Sequence, residues 1–372
     1  MDFIDLKKQQ KNIRNSLDIR IKKVLDEGRY IGGEEVKLFE EKLSSFCGAK
    51  HSVGCSNGTD ALMLALMALD IGPGDGVITV PFTYIATLEA IAAVGATPVL
   101  VDVYDSTFNM NPAHIEKVIN KSDKTIKAIM PVDLFGLPAR YRVINDIAKK
   151  YNLKIIGDAA QSFGASKGKK KVGTFGDITT TSFFPAKPLG CYGDGGAIFT
   201  DSDEYANSLR SLAVHGKGSD KYENVRVGMN SRLDTIQAAI LLEKINIFKN
   251  EIIRRNEIAE LYRKKMDHLP VNFQIIPKDY KSVYAQFSVL FDNRVTRDKI
   301  QYELKKNNIP SVIYYPISGH LQGGYSYLNY KQGDFPISES LGDRILSLPM
   351  HPYLEEKDIN KIVGAIEHTI LV

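Results

Sequence analysis

The chain reads as an α/β protein: a large N-terminal part with a mostly parallel central sheet flanked by helices, then a smaller C-terminal α+β part. Three observations carry that reading. Short apolar, strand-like runs alternate with helical segments from residue 56 to residue 158, the rhythm of crossover connections between parallel strands. The runs are close to continuously apolar, as strands covered on both faces must be. The alternation stops near residues 233–247, and the length of 372 residues favours two cores over one. The expected division is residues 1–247 and 248–372.

In chain order, residues 13–27 and 34–46 have amphipathic helical spacing. Ser56-Asn57-Gly58-Thr59-Asp60 opens an apolar helix at Ala61, and residues 77–80 form a short buried strand. Residues 84–94 are helical and 98–103 a strand. Residues 126–132 are the next strand, 141–151 a helix, and 154–158 a strand ending on Asp158. The lysines at 167–171 enclose one glycine and read as a hairpin tip. Beyond the division, a charged helix is expected over 252–267, followed by mixed segments with a strand over 284–291.

With 44% hydrophobic and 25% charged residues the composition is that of a soluble globular protein. A net charge of +4, spread over scattered lysines, does not form a nucleic-acid patch. Cys47, Cys55 and Cys191 have neither metal nor redox spacing, and so low a count suits a reducing compartment. The first residues contain no apolar signal segment, and the longest apolar run, residues 61–69, is too short for a bilayer. A cytoplasmic protein without membrane, nucleic-acid or metal partners is expected.

The chemistry centres on Lys187, in Ser182-Phe183-Phe184-Pro185-Ala186-Lys187-Pro188-Leu189-Gly190 followed by Gly193-Asp194-Gly195-Gly196. An amine that attacks an aldehyde must first lose its proton, so it needs surroundings that lower its pKa. Glycines let backbone pass close to a bulky ligand. Alone, such a lysine is more often a solvated surface residue. Asp158 stands 29 positions earlier at a strand end, where doubly wound sheets bind ligands. A buried carboxylate there either meets a positive partner, such as a protonated pyridine nitrogen, or caps the next helix. Gly58 and Thr59 lie at a helix start, which binds phosphate readily, although Ser56 or Asn57 is equally a plain cap. Ser182 can add a hydroxyl to the same phosphate, and Tyr84 can stack on a ring or join the core.

Together these strings resemble the sugar aminotransferases of the DegT/DnrJ/EryC1/StrS family, a branch of the fold-type I enzymes that use pyridoxal 5′-phosphate. The resemblance runs from about Asp5 to Leu354 and includes Ser56 to Leu62, Asp158-Ala159-Ala160-Gln161-Ser162, the lysine run, Asn230-Ser231-Arg232-Leu233-Asp234 and Leu348-Pro349-Met350-His351-Pro352. It implies that Lys187 holds the cofactor as a Schiff base and shuttles protons. Asp158 would pair with the pyridine nitrogen, Gln161 would sit near the ring hydroxyl, and Tyr84 would stack. Gly58, Thr59 and Ser182 would hold the phosphate, joined by Asn230 from a neighbouring subunit, which makes a homodimer the active unit. Arg232, Tyr314, Tyr315 and His320 would face the substrate, with an anionic part of it at Arg232 and a structural role as the alternative for His320.

Within the family the lysine run is most similar to the subgroup acting on UDP-2-acetamido-2-deoxy-3-oxo-glucuronate in surface-polysaccharide or lipopolysaccharide synthesis, with glutamate as amino donor. Two positions depart from the pattern. Tyr314 stands where that subgroup tends to have histidine, and Gly157 where the family often has glutamate. The resemblance therefore leaves 4-keto-6-deoxy and 3-keto-6-deoxy nucleotide sugars as alternative substrates. Dehydrating relatives carry histidine in place of Lys187. A non-catalytic binding protein on the same fold is the different class; such proteins usually lose the lysine or the aspartate, and both are present.

Overall fold

In the computed structural model, which describes residues 1–220 and 222–371, seven strands form one central sheet. They are β1 (His51–Cys55), β2 (Asp75–Thr79), β3 (Thr97–Leu100), β4 (Thr125–Ile129), β5 (Lys154–Asp158), β8 (Ile178–Ser182) and β9 (Gly196–Thr200), the hairpin β6 (Ser166–Lys167) and β7 (Lys170–Lys171) lying between β5 and β8 in the chain. The spatial order is β1-β9-β8-β5-β4-β2-β3. Only β9 runs antiparallel to its neighbours; β8, β5, β4, β2 and β3 are mutually parallel. The C-terminal ends of β5 and β8 are thereby neighbours, with Asp158 on one and Ser182 on the other.

Strand periodicity explains the double covering. Ile78, Ile129 and Ile155 point into one apolar cluster with Ile144 and Ile147 of α6 (Tyr141–Tyr151). Their neighbours Val77, Ala128 and Ile156 point into the other, with α3 (Gly58–Ala68), α4 (Ala86–Ala93) and α7 (Asp203–Leu212). Helices α1 (Leu6–Glu27), α2 (Glu34–Cys47) and α5 (Ile115–Lys121) complete the large part.

Helix α8 (Thr235–Met266) corrects the expected separate helix over 252–267: it is continuous for 32 residues. No glycine or proline interrupts the segment, so nothing stops the helix where its packing partner changes. Ala238, Leu241, Leu242 and Phe248 pack with Phe39, Phe163 and Phe199. Ile258, Ala259, Tyr262 and Met266 pack instead into the C-terminal core. The division expected at 247/248 thus falls inside a shared helix. The C-terminal core contains β10 (Asn272–Phe273), β12 (Phe287–Leu290) and β13 (Ile345–Leu348) as an antiparallel sheet, with α9 (Arg294–Lys306) and α11 (Glu356–Leu371); α10 (Pro336–Arg344) precedes β13. Strand β11 (Tyr280–Lys281) returns to pair with β6, tying the two parts together.

Among the described residues no helix is long and apolar enough to cross a membrane, and no cluster of His, Cys, Asp or Glu is arranged to hold a metal ion.

Candidate active site

Asp158 ends β5 and is 5% exposed. Its Oδ2 accepts from the Thr87 hydroxyl at 2.8 Å and its Oδ1 from the Ala160 amide at 3.2 Å. Burial pushes this carboxyl above the usual carboxylate range; the two hydrogen bonds and the charge of Lys187 oppose the rise. Lys187 shows the complementary effect. Desolvation lowers its pKa, and the Asp158 carboxylate works against that lowering. A lysine amine poised toward its neutral form faces a carboxylate held in a low-dielectric pocket.

The backbone around Lys187 is set by a tight turn. The Lys187 amide donates to Phe184 O at 2.8 Å, and the Cys191 amide to Phe183 O at 2.7 Å. A Cβ at Gly190 would lie 2.6 Å from the carbonyl oxygens of both Phe184 and Pro185, so only glycine closes this turn. From α8, the buried Lys244 donates to Gly190 O.

Helix α3 starts at Gly58, capped by Asn57, whose side chain accepts from the Asp60 amide at 2.8 Å. A Cβ at Gly58 would sit 2.7 Å from Ser182 Cβ and 3.2 Å from its Oγ. Glycine therefore brings the positive end of α3, with Thr59 in its first turn, directly against the serine at the end of β8. Amides, a helix dipole and a hydroxyl converge there, the donor set an anion requires.

Gln161 links two loops. Its Oε1 accepts from the Phe135 amide at 2.7 Å and its Nε2 donates to Tyr315 Oη at 3.0 Å. The Tyr315 ring lies 6.1 Å from that of Tyr84, which is 57% exposed and free to cover a ligand. Tyr314 contacts Tyr315 at 5.5 Å and Phe3 at 6.4 Å between ring centroids. Arg232 Nη2 donates to Asn230 Oδ1 at 2.5 Å, and the buried Ser231 between them accepts from the Ser56 amide at 3.2 Å. That hydrogen bond moors the Asn230–Arg232 segment beside the start of α3.

The structure therefore gathers Lys187, Asp158, Gln161, Tyr84 and Tyr315 through direct contact or charge, and Gly58, Thr59 and Ser182 at the helix end. His320 is placed differently: its side chain is fully buried, bonded through Nε2 to Glu339 at 3.0 Å and packed 4.8 Å from Phe335. Sequence reading missed Thr87 and Lys244. The signal for Thr87 was a lone hydroxyl in the apolar run Ala86-Thr87-Leu88, three residues after Tyr84.

These residues fit pyridoxal 5′-phosphate. The cradle that a Cβ at Gly58 would fill suits its phosphate, and a buried carboxylate lacking a full countercharge suits a protonated pyridine nitrogen. Comparison with known proteins agrees. The chain is 45% identical, over 98% of its length and 99% of the relative's, to the UDP-2-acetamido-2-deoxy-3-oxo-D-glucuronate aminotransferase of Pseudomonas aeruginosa. It superposes with a TM-score of 0.95 on the crystal structure of a DegT DnrJ EryC1 StrS aminotransferase from Brucella abortus, at 49% identity and covering 100% and 99% of the two chains. It also superposes with a TM-score of 0.91 on NtdA from Bacillus subtilis with bound cofactor PMP, at 29% identity and 100% and 83% coverage. Pyridoxal phosphate is accordingly the cofactor of this enzyme. The family model spans residues 11–367, and the chain belongs to the DegT/DnrJ/EryC1/StrS aminotransferase family.

Proposed function

We propose that this enzyme transfers the amino group of glutamate to UDP-2-acetamido-2-deoxy-3-oxo-glucuronate, in the cytoplasm, for the amino sugars of a surface polysaccharide such as a lipopolysaccharide. The observation that carries the choice of a uronate is Arg232, a half-buried guanidinium moored beside the start of α3 by Ser231. The relative from Pseudomonas aeruginosa supports the same sugar.

When bound, pyridoxal phosphate supplies the electron sink for the carbon that gains or loses the amine. The chain's residues do the rest. Lys187, its ammonium disfavoured by desolvation, accepts a proton at Nζ and returns it. Asp158, fixed by Thr87 and Ala160, would keep the pyridine nitrogen protonated. The amides at Gly58 and Thr59 and the Ser182 hydroxyl would hold the phosphate, while Tyr84 would cover the ring and Gln161 would meet its hydroxyl. Arg232 would fork onto the sugar carboxylate.

A panel of keto nucleotide sugars with glutamate tests the substrate. Arg232→Ala is expected to lower kcat/KM for the uronate at least about thirtyfold more than for a matched 6-deoxy sugar, since truncating one partner of a desolvated charged pair is costly. Equal losses would remove Arg232 as selector. Tyr314 supports the second reading, a 6-deoxy keto sugar, because a phenol can border an uncharged C6; a wild-type preference for that substrate would establish it.

A homodimer is the proposed active unit. Just ahead of Asn230, the exposed Val225 and Val227 stand beside an open concavity of about 1100 Å³ lined by Met63, Met67 and Met229 together with the polar Glu204, Asn207, Ser208 and Arg226. Exposed valines beside polar groups suit contact with a second copy of the chain. Mixing inactive Lys187→Ala with inactive Asn230→Ala chains should restore activity through hybrid dimers that hold one intact site. A fully active monomer in gel filtration would defeat the shared site.

A further inference from the structure

Asp133 is fully buried on the loop after β4, and none of the chemistry above uses it. Its Oδ1 accepts from the Ala139 amide at 2.8 Å and its Oδ2 from the Ser162 hydroxyl at 2.9 Å. Its own amide donates to Asp158 O at 3.0 Å, and the Asp158 amide donates to Pro131 O at 2.9 Å. Two residues on, the Phe135 amide holds Gln161 Oε1. Every one of these bonds outside its own loop ends on Asp158, on Gln161 or on the residue next to Gln161.

The charged and titratable groups facing this carboxyl are Asp158 on β5 and the Tyr141 hydroxyl on α6. Burial pushes Asp133 up to about 7, against the hydrogen bonds from Ala139 and Ser162. Tyr141 also fills the space beside the backbone before Asp158: a Cβ at Gly157 would lie 2.7 Å from its oxygen. The carboxyl, the phenol and the glycine form one packed unit behind the site. A carboxylate satisfies both the Ala139 and the Ser162 donors at once, and a buried donor left without a partner is costly.

We propose that Asp133 is a positioning residue: through Ser162 and Asp158 it locks the loops after β4 and β5 together and so sets Asp158 and Gln161 toward the cofactor ring. This rests on the reading of Asp158 and Gln161 as the ring-binding pair. The variants are Asp133→Ala, Ser162→Ala and their combination, with Ser288→Ala as a control that breaks a buried 2.7 Å serine pair in the C-terminal sheet. The readouts are pyridoxal phosphate affinity by titration, the pH midpoint of the bound cofactor's visible absorption, and the melting temperature of the cofactor-free protein.

Asp133→Ala and Ser162→Ala should each weaken cofactor binding about tenfold and shift the absorption midpoint. The combination should be no weaker than Asp133→Ala alone, because one hydrogen bond joins the two groups. Ser288→Ala should lower only the melting temperature. If Asp133→Ala does not fold, Ser162→Ala alone decides. Wild-type affinity and midpoint in the variants, with only stability lost, would overturn the proposal, as would fully additive losses. A wild-type chain that binds no pyridoxal phosphate would overturn the underlying cofactor reading, a result distinct from either.

Discussion

Lys187→Ala should lose transamination by about four orders of magnitude or more while keeping its fold. The turn that presents Lys187 is held by backbone bonds from residues 183, 187 and 191, none of which needs the lysine side chain. Truncation also removes a cation that burial disfavours, so the variant has no reason to unfold. What disappears is an amine within electrostatic reach of Asp158. Lys244 cannot replace it. Burial lowers that amine as well, to about 8, but it is 1% exposed, committed to Gly190 O and stacked 4.5 Å over the Tyr192 ring. The measurement is turnover of glutamate with the keto sugar, alongside melting temperature. Retention of more than about one part in a hundred of wild-type kcat would take the central role away from Lys187.

How far the fold could be read from the chain depends on whether local chemistry or distant partners set an element's ends. Strand β5 and helix α6 begin and end where expected, at 154–158 and 141–151. The end of α6 is local: Asn152 takes the left-handed conformation that closes a helix. Strand β3 is shorter than expected, four residues instead of 98–103. Its continuation is drawn off by Asp102, whose carboxylate accepts the Ile337 and Ser338 amides and the Ser338 hydroxyl at the start of α10. No sequence window spans a partner 236 positions away. Helix α8 was misread for a related reason, since a change of packing partner along an unbroken helix looks like the end of a rhythm.

The same division runs through the site. Lys187 and Gly58 announce themselves in short strings with their own glycines and caps, and Gln161 through the family resemblance of Asp158-Ala159-Ala160-Gln161-Ser162. Thr87, Ser162 and Lys244 do not, because their meaning lies in contacts with residues 71, 29 and 54 positions away. His320 shows the opposite case. The resemblance leaves this histidine between the substrate and a structural role, and apolar packing against Phe335 and a carboxylate from Glu339 draw the ring inward.

Asp158→Asn should separate stability from function. In the cofactor-free protein the Asp158 carboxyl is raised by burial. A carboxyl whose folded pKa exceeds its unfolded value costs its full penalty above the folded pKa; the cost shrinks as pH falls below that value and vanishes below the unfolded pKa. The asparagine variant never carries the charge. Its one oxygen keeps an acceptor for Thr87 but its amide nitrogen cannot accept from Ala160, so the cofactor-free protein should melt close to wild type at neutral pH, the lost bond offsetting the removed charge penalty. With pyridoxal phosphate bound the variant should fall below wild type. The wild-type carboxylate would then meet a protonated pyridine nitrogen, as proposed, and removing one partner of a buried pair costs about 3–5 kcal/mol. That corresponds to a loss in kcat of roughly two to three and a half orders of magnitude, with a smaller loss for Thr87→Val, which only unseats the carboxylate. The two melting curves and the turnover of both variants are the measurements. A lower melting temperature of cofactor-free Asp158→Asn together with near-wild-type turnover would mean that Asp158 serves only to brace the turn after β5 through the Ala160 amide, and the partner of the ring nitrogen would have to be sought elsewhere.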